Sequence, residues 1–190
     1  MALNTAYLTC NRTASGDEIF TPFYAVEPLL KYISKDKVIW CPFDEEWSAF
    51  YQTFTENGYK VIRSSLAERK DFFSYEPEED YDIIVSNPPF SKKDKILKRI
   101  DKLGKAFMIL LPCNSIQGYN RYKNCFKNGI QMLTFDKRID YHTNFNFDTY
   151  KKGNHFGSAY FCRNILPSDL IVEELHKYER PLIERMKNTE

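Results

Sequence analysis

The sequence predicts an α/β fold with a mostly parallel, seven-stranded sheet and helices on both faces. Short apolar segments bounded by turn residues alternate with segments whose apolar residues recur at helical spacing. The strand signal is clearest at 81–85, where three aliphatic residues run together before a proline-rich turn. With 190 residues, 43% of them hydrophobic, the chain suits one domain spanning 1–190.

The N-terminal half begins with polar, weakly patterned residues 1–19, which we interpret as an arm. Thr21 and Pro22 suit a helix start, because Thr can cap and Pro fits the first turn; Pro28 should kink that helix or delay it. The predicted elements of this half are a helix reaching Ile33, a strand at 38–40, a helix at 47–56, a strand at 59–62 and a brief strand at 71–73.

The C-terminal half continues the alternation. A lysine-rich segment at 91–105 carries apolar residues on one helical face. Residues 168–180 predict a closing helix stopped by Pro181. The predicted strands of this half lie at 81–85, 105–111, 130–135 and 157–162.

Composition limits the classes of function. The net charge of +1 gives no overall basic signature for nucleic acid. The five cysteines are odd in number and form no CxxC pair, so we expect free thiols and no metal. Without a signal-peptide pattern or an apolar stretch of roughly 20 residues, we expect a cytoplasmic protein away from membranes, as a monomer or weak homodimer.

The segment Asn87, Pro88, Pro89, Phe90 is the chemically most specific feature. Two successive prolines stiffen the loop and remove two backbone donors. The Asn87 side chain and the Pro88 carbonyl would then be two fixed acceptors for a planar amine, with Phe90 offering a stacking face. A structural proline turn is the alternative, but the order of residues after an apolar strand favours catalysis by positioning.

These residues resemble the catalytic motif of S-adenosylmethionine-dependent amino-group methyltransferases, which include the DNA adenine-N6 enzymes. Residues 105–112, a strand ending in proline, resemble the segment that follows the catalytic helix. The resemblance is strongest to small enzymes of phages and prophages and spans about 17–165. It implies a Rossmann-like class I methyltransferase fold, S-adenosylmethionine as cofactor and DNA as partner.

The resemblance also implies a set of cofactor-binding positions. Residues 20–22 before the first helix resemble the segment around the methionine part of the cofactor, and Asp71-Phe72 resembles the pair that holds its adenine. The implied cofactor residues are Phe20, Thr21, Pro22, Cys41, Pro42, Phe43, Asp44, Ser64, Asp71, Phe72 and Asn87.

Two positions depart from the family pattern. Residues 41–46 contain no glycine where a glycine-rich turn is usual, and Ser64 and Ser65 stand where an acid normally ends the second strand. Asp44 is the candidate to replace that acid. The departures keep a second hypothesis open, a methyltransferase-like binding protein without catalytic activity.

Two segments are candidates for contact with nucleic acid. Residues 91–105 hold seven basic residues against two acidic ones, a pattern that also suits a solvated helix face. Residues 136–156 interleave aromatic and basic residues, and we interpret them as a target-recognition loop. The predicted reaction is methyl transfer to adenine N6 in DNA; RNA adenine and protein glutamine are alternative acceptors for the same motif.

Overall fold

The computed structural model describes residues 19–143 and 156–182. The strands are β1 (Ile19–Phe20), β2 (Val38–Cys41), β3 (Lys60–Arg63), β4 (Ile83–Ser86), β5 (Ala106–Pro112), β6 (Gln131–Phe135), β7 (His142–Thr143), β8 (Ser158–Arg163) and β9 (Leu170–Glu173). The α-helices are α1 (Phe23–Val26), α2 (Ala49–Glu56), α3 (Lys93–Leu103) and α4 (Tyr119–Asn124), with 3₁₀ helices at Glu27–Lys31, Phe90–Lys92, Cys113–Ile116 and Phe126–Asn128.

The main sheet has seven strands in the order β3-β2-β4-β5-β8-β6-β9 within the described residues. Strands β3, β2, β4 and β5 run parallel to one another, and β9 runs parallel to β6. Strand β8 lies antiparallel between β5 and β6. The sheet is therefore mixed rather than purely parallel, and it is compatible with the Rossmann-like architecture predicted from the sequence.

Helices cover both faces of this sheet, as predicted. Successive residues of a strand point to opposite faces, so Ile83 and Val85 of β4 lie on one side and Ile84 on the other. The first side is packed by α1 and α2. The second side is packed by the apolar stripe of α3, formed by Ile96, Leu97 and Ile100.

The predicted strand at 71–73 is wrong, because this segment is a turn. Asp71 Oδ1 accepts a hydrogen bond from the Phe73 amide at 3.0 Å, and the Asp71 carbonyl accepts one from the Tyr75 amide at 2.7 Å. An aspartate that bonds its own downstream backbone competes with strand pairing.

The predicted closing helix at 168–180 is also wrong. Its first part is β9, the seventh strand, which takes an edge position beside β6 with Met132 opposite Leu170. Gln131 binds the segment that joins β8 to β9. Its Nε2 donates to the Leu166 carbonyl at 2.8 Å, and its Oε1 accepts from the Leu166 amide at 3.1 Å. The open edge of β6 offers backbone partners that override the helical pattern.

The first helix shows the expected effect of proline. Pro22 occupies the N-cap of α1, which is only four residues long. At Glu27 the chain changes into the 3₁₀ helix Glu27–Lys31, with Pro28 in its first turn. Because proline has no N–H, it cannot continue the α-helical bonding.

A two-stranded ribbon lies beside the main sheet. Strand β1 pairs antiparallel with β7, and Phe20 faces His142 in the register. The predicted arm at 1–19 lies outside the described residues except for Ile19, as does the part of the predicted recognition loop between 144 and 155.

Three further features of the described residues concern membrane-spanning helices, metal ligands and cysteine thiols. None of its helices is long and apolar enough to cross a membrane. Its His, Cys, Asp and Glu side chains form no cluster of three or more that could hold a metal ion. Cys41, Cys125 and Cys162 are buried free thiols, and Cys113 is a half-buried one.

The side chain of Tyr160 connects the sheet to α1, and replacing it tests how much this contact stabilises the fold. Its fully buried hydroxyl donates to the Ala25 carbonyl at 2.8 Å. We expect Tyr160→Phe to lower the free energy of unfolding by about 1–3 kcal/mol, because a buried acceptor loses its donor. Urea denaturation measures this, with the exposed Tyr122→Phe as the control. Equal stability of the two variants would contradict this interpretation.

Candidate functional site

A cavity of about 610 Å³ opens at the carboxyl ends of β2 and β4. Ligands of parallel α/β sheets bind at this edge, and the volume suits a small organic molecule. The lining residues come from segments far apart in the sequence. They are Ile19, Phe20, Thr21, Phe43, Asp44, Glu45, Trp47, Ser48, Ala49, Phe50, Ser65, Leu66, Ala67, Asn87, Pro89, Ser91, Lys92 and Leu182.

Asn87 follows β4 directly and lines this cavity. Its Nδ2 donates to the Ile19 carbonyl at 3.2 Å, which fixes the plane of the amide. Its Oδ1 is buried and accepts no hydrogen bond from the described residues. A buried acceptor without a donor is uncommon in native proteins and suits a donor supplied by a ligand.

The rest of the loop is held by a backbone hydrogen bond and by ring packing. Pro89 lines the cavity, and its carbonyl accepts from the Lys92 amide at 3.1 Å in the first turn of the following 3₁₀ helix. Phe90 is 3% exposed and meets Phe156 edge-on, with 5.8 Å between ring centroids. The loop therefore presents Asn87 and Pro89 to the cavity, while the Phe90 ring packs into the core on the α3 side.

Asp44 is a buried carboxylate in the wall of the same cavity. Its Oδ1 accepts from Ser48 Oγ and its Oδ2 from Ser86 Oγ, both at 2.5 Å. Burial raises the pKa of Asp44 to about 6; the two serine hydrogen bonds oppose this rise, and the nearby charge of Glu45 adds to it. No Lys, Arg or His among the described residues forms an ion pair with it.

This arrangement favours a cationic ligand. A buried carboxylate is costly to ionise unless a positive charge accompanies it. The two serine hydroxyls orient the Asp44 carboxylate and carry no charge themselves. Because Asp44 lines the cavity, a cation bound there would supply the missing charge.

Other cavity residues offer both hydroxyl and aromatic groups. Thr21 Oγ1 and Ser65 Oγ are buried and make no hydrogen bond with the described residues. Phe20 packs edge-on against Trp47, with 4.9 Å between centroids. Phe43 completes an aromatic wall suited to a planar ring. Of the cofactor positions implied by the sequence, five line the cavity: Phe20, Thr21, Phe43, Asp44 and Asn87.

The remaining implied positions do not line it; they are Pro22, Cys41, Pro42, Ser64, Asp71 and Phe72. Ser64 Oγ instead accepts from Trp40 Nε1 at 3.0 Å, whereas the neighbouring Ser65 lines the cavity. The Phe72 ring packs 5.4 Å from that of Trp40. The Asp71 side chain is exposed and caps its own turn.

Sequence reasoning missed several cavity residues. Ser48 is the N-cap of α2, and its position before a helix could have identified it. Ser86 contacts Asp44 because β2 and β4 are neighbours in the sheet. Ser65 stands at the position of the usual acid, and Ser91 and Lys92 belong to the basic segment, whereas no local signal distinguishes Trp47 or Leu182.

No known protein-family model matches the chain. The chain is similar to a curated protein of Mycoplasma genitalium that is named a type II methyltransferase, with 30% identity over 116 residues. The match covers 58% of this chain and 35% of the relative, so the chain spans about a third of the relative's length. The similarity supports a methyltransferase and leaves the acceptor undetermined.

The raised pKa of Asp44 predicts an unusual pH dependence of stability. The folded pKa of about 6 exceeds the ordinary value of 3.8, so the ionisation of Asp44 opposes folding increasingly between pH 3.8 and pH 6 and fully above pH 6. Above pH 6 this ionisation should lower the free energy of unfolding by about 3 kcal/mol, at 1.36 kcal/mol per pH unit. At pH 5 the loss should be about half as large.

We therefore expect Asp44→Asn to raise the free energy of unfolding at pH 8 by on the order of 1–3 kcal/mol, and by less at pH 5. Urea denaturation at both pH values measures the difference. Asp80→Asn removes an exposed carboxylate and serves as the control, with no gain expected at either pH. A stability gain from Asp44→Asn that grows toward acid pH would contradict a raised pKa of Asp44.

Proposed function

We propose that the chain transfers a methyl group from S-adenosylmethionine to the N6 amino group of adenine in DNA. One observation carries this proposal: Asn87 combines a fixed amide with a buried Oδ1 that accepts no hydrogen bond from the described residues. That oxygen lies in a loop beside a cavity with a buried carboxylate. An amino nitrogen and a cationic methyl donor are complementary to these two groups.

The chemistry assigned to the loop is positioning. Asn87 Oδ1 and the Pro88 carbonyl would each accept one N–H of the target amine. Held this way, the nitrogen is drawn out of conjugation with the ring and its lone pair is directed at the methyl donor. The two acceptors would stabilise the positive charge that develops on nitrogen as the bond between the methyl group and the donor's sulfur breaks, and the surplus proton would then pass to water, so no strong base is needed for the transfer.

The cavity residues fit S-adenosylmethionine. Asp44 is placed to bind one of its positive charges, and the unpaired hydroxyls of Thr21 and Ser65 are placed for its polar groups. Phe20 and Phe43 offer apolar surface for its adenine. When bound, the cofactor supplies an electrophilic methyl group on a sulfonium.

The glycine-free turn at residues 41–46 changes how this cofactor would be held. A glycine-rich turn brings ligand close to the backbone. Here Phe43, Asp44 and Glu45 line the cavity with side chains. We infer that a carboxylate and an aromatic ring replace backbone contacts, which keeps a cofactor site in a chain that lacks the usual turn.

The motif itself serves DNA adenine, RNA adenine and protein glutamine alike, and we propose DNA adenine among them; its target base would have to leave the duplex stack to reach Asn87. The Phe90 ring is 3% exposed and does not line the cavity, so stacking of that base on it would require its neighbours, Phe156 among them, to move. The relative named a type II methyltransferase supports methyl transfer as the class of reaction.

Asn87→Ala tests the catalytic role. With labelled S-adenosylmethionine, the wild-type chain should transfer label to adenine-containing DNA, and Asn87→Ala should lower the rate at least about 100-fold because one charge-stabilising acceptor is lost. Asn114→Ala, which removes an exposed asparagine after β5, is the control and should keep full activity.

Parallel incubations with RNA and with protein extract identify the acceptor. Label in RNA adenine or protein glutamine instead of DNA would contradict the DNA assignment. Cofactor binding without transfer to any of the three would contradict an enzyme and favour the binding-protein hypothesis. Full activity of Asn87→Ala would overturn the role of this side chain.

Cofactor affinity should depend on the ionisation of Asp44. Protonation of the carboxylate below its pKa of about 6 removes the charge that attracts a cation, so affinity should fall roughly tenfold between pH 7 and pH 5. Calorimetric titration with S-adenosylmethionine measures this. Asp44→Asn should bind more weakly at pH 7 and lose this pH dependence; an unchanged profile would contradict the role of Asp44.

A further inference from the structure

The lysines of the chain differ in their pairing with acids. Six of them form ion pairs in the described residues: Lys31, Lys37, Lys60, Lys70, Lys137 and Lys177. A second group is exposed and has no carboxylate partner within the described part of the chain: Lys35, Lys92, Lys95, Lys98, Lys102, Lys123 and Lys127. All of this second group except Lys35 lies on and around α3 and α4, which contact each other.

The same region exposes large aromatic side chains. Tyr119 and Tyr122 of α4 are 75% and 61% exposed, and Ile116 just before that helix is 41% exposed. Helix α4 buries none of its own residues. Lys123 Nζ lies 6.0 Å from the centroid of the Tyr119 ring. Packing of the described residues does not require these tyrosines.

This region is continuous with the cavity. Ser91 and Lys92 are exposed and also line the cavity, so they lie at its opening. One turn later, Asp94 at the start of α3 accepts from Arg121 Nη1 at 2.6 Å. Arg121 Nε donates to the Ser115 carbonyl at 2.7 Å, which fixes α4 beside α3. Arg121 therefore fixes α4, which carries the two exposed tyrosines, beside the start of α3, which follows the cavity-lining residues Ser91 and Lys92.

We propose that this region holds a DNA strand next to the methyl-transfer site. The proposal rests on the proposed function, which makes DNA the acceptor. The lysines contact phosphates and the two tyrosines stack on bases exposed where the duplex opens. We define the α3–α4 surface by the residues that carry these contacts: Lys92, Lys95, Lys98, Tyr119, Tyr122 and Lys123.

The combination of groups favours nucleic acid over a protein partner. The cores of protein interfaces are depleted in lysine, whereas grooves that bind single strands combine positive charge with aromatic rings. A solvated helix face explains the lysines of α3 but not two neighbouring exposed tyrosines on α4. A local positive surface also reconciles DNA binding with a net charge of only +1.

The test measures DNA binding separately from catalysis. A fluorescent adenine-containing duplex with a short unpaired region is titrated with the full chain, without cofactor, and anisotropy is recorded at several salt concentrations. One variant removes the stacking groups, Tyr119→Ala with Tyr122→Ala. A second removes phosphate contacts, Lys95→Gln with Lys98→Gln.

Each variant has a matched control. Leu170→Ala with Val172→Ala removes exposed apolar side chains from β9 at the far edge of the sheet. Lys31→Gln with Lys60→Gln removes two exposed lysines that already pair with acids. Because all of these side chains are exposed, circular dichroism should show that every variant remains folded.

We expect the tyrosine variant to raise the dissociation constant at least about fivefold without changing its salt dependence. The lysine variant should reduce the slope of log K against log salt by about 2, since about one counterion is released per phosphate contact. The controls should bind as the wild type does. Wild-type affinity in both test variants would overturn the proposal that the α3–α4 surface binds DNA. Tighter binding of matched RNA would overturn DNA as its ligand.

The outcome is separable from that of the proposed function. If the wild-type chain binds DNA through this surface but transfers no methyl group, the surface stands and the enzyme proposal fails. If DNA is methylated at limiting concentration equally fast by the wild type and both test variants, the enzyme proposal stands and the surface fails.

Discussion

The parallel pairing of β2 and β4 is the constraint on which the site depends. Ile39 lies opposite Ile83 and Trp40 opposite Ile84, so both strands end at the same edge of the sheet. The loops that follow them bring Asp44 and Asn87 to one cavity. The hydrogen bond from Ser86 to Asp44 joins the two strand ends directly. Any shift in this register would separate the carboxylate from the amide.

The cavity concentrates polar groups that the described protein leaves incompletely satisfied. Asn87 Oδ1, Thr21 Oγ1 and Ser65 Oγ are buried without hydrogen-bond partners in the described residues, and Asp44 is buried without a cation. Each of these groups costs stability while it stays unpaired, and together they are complementary to one polar, cationic molecule. Local violations of good packing rules are typical of sites where function, rather than stability, selects the residue.

The two faces of the sheet are covered by different helices and lie next to different candidate binding regions. Helices α1 and α2 pack on one face, and α2 also lines the cavity, while α3 packs on the other face with α4 beside it. The loop from Asn87 to Lys92 connects the two sides and belongs to the cavity at both of its ends. A ligand in the cavity and a strand on the α3–α4 surface would therefore meet at this loop. The two prolines of this loop restrict its backbone conformation.

The sequence by itself determined the alternation of strands and helices and the loop at Asn87, because periodicity and proline geometry are local properties. Tertiary structure decided what depends on distant partners. The segment predicted to be a helix pairs with the edge of β6 as β9, and Ser64 bonds to Trp40 whereas Ser65 lines the cavity. Phe72 and Phe90 match the motif in sequence, yet both rings are packed in the core, since the direction of a side chain depends on its neighbours in space.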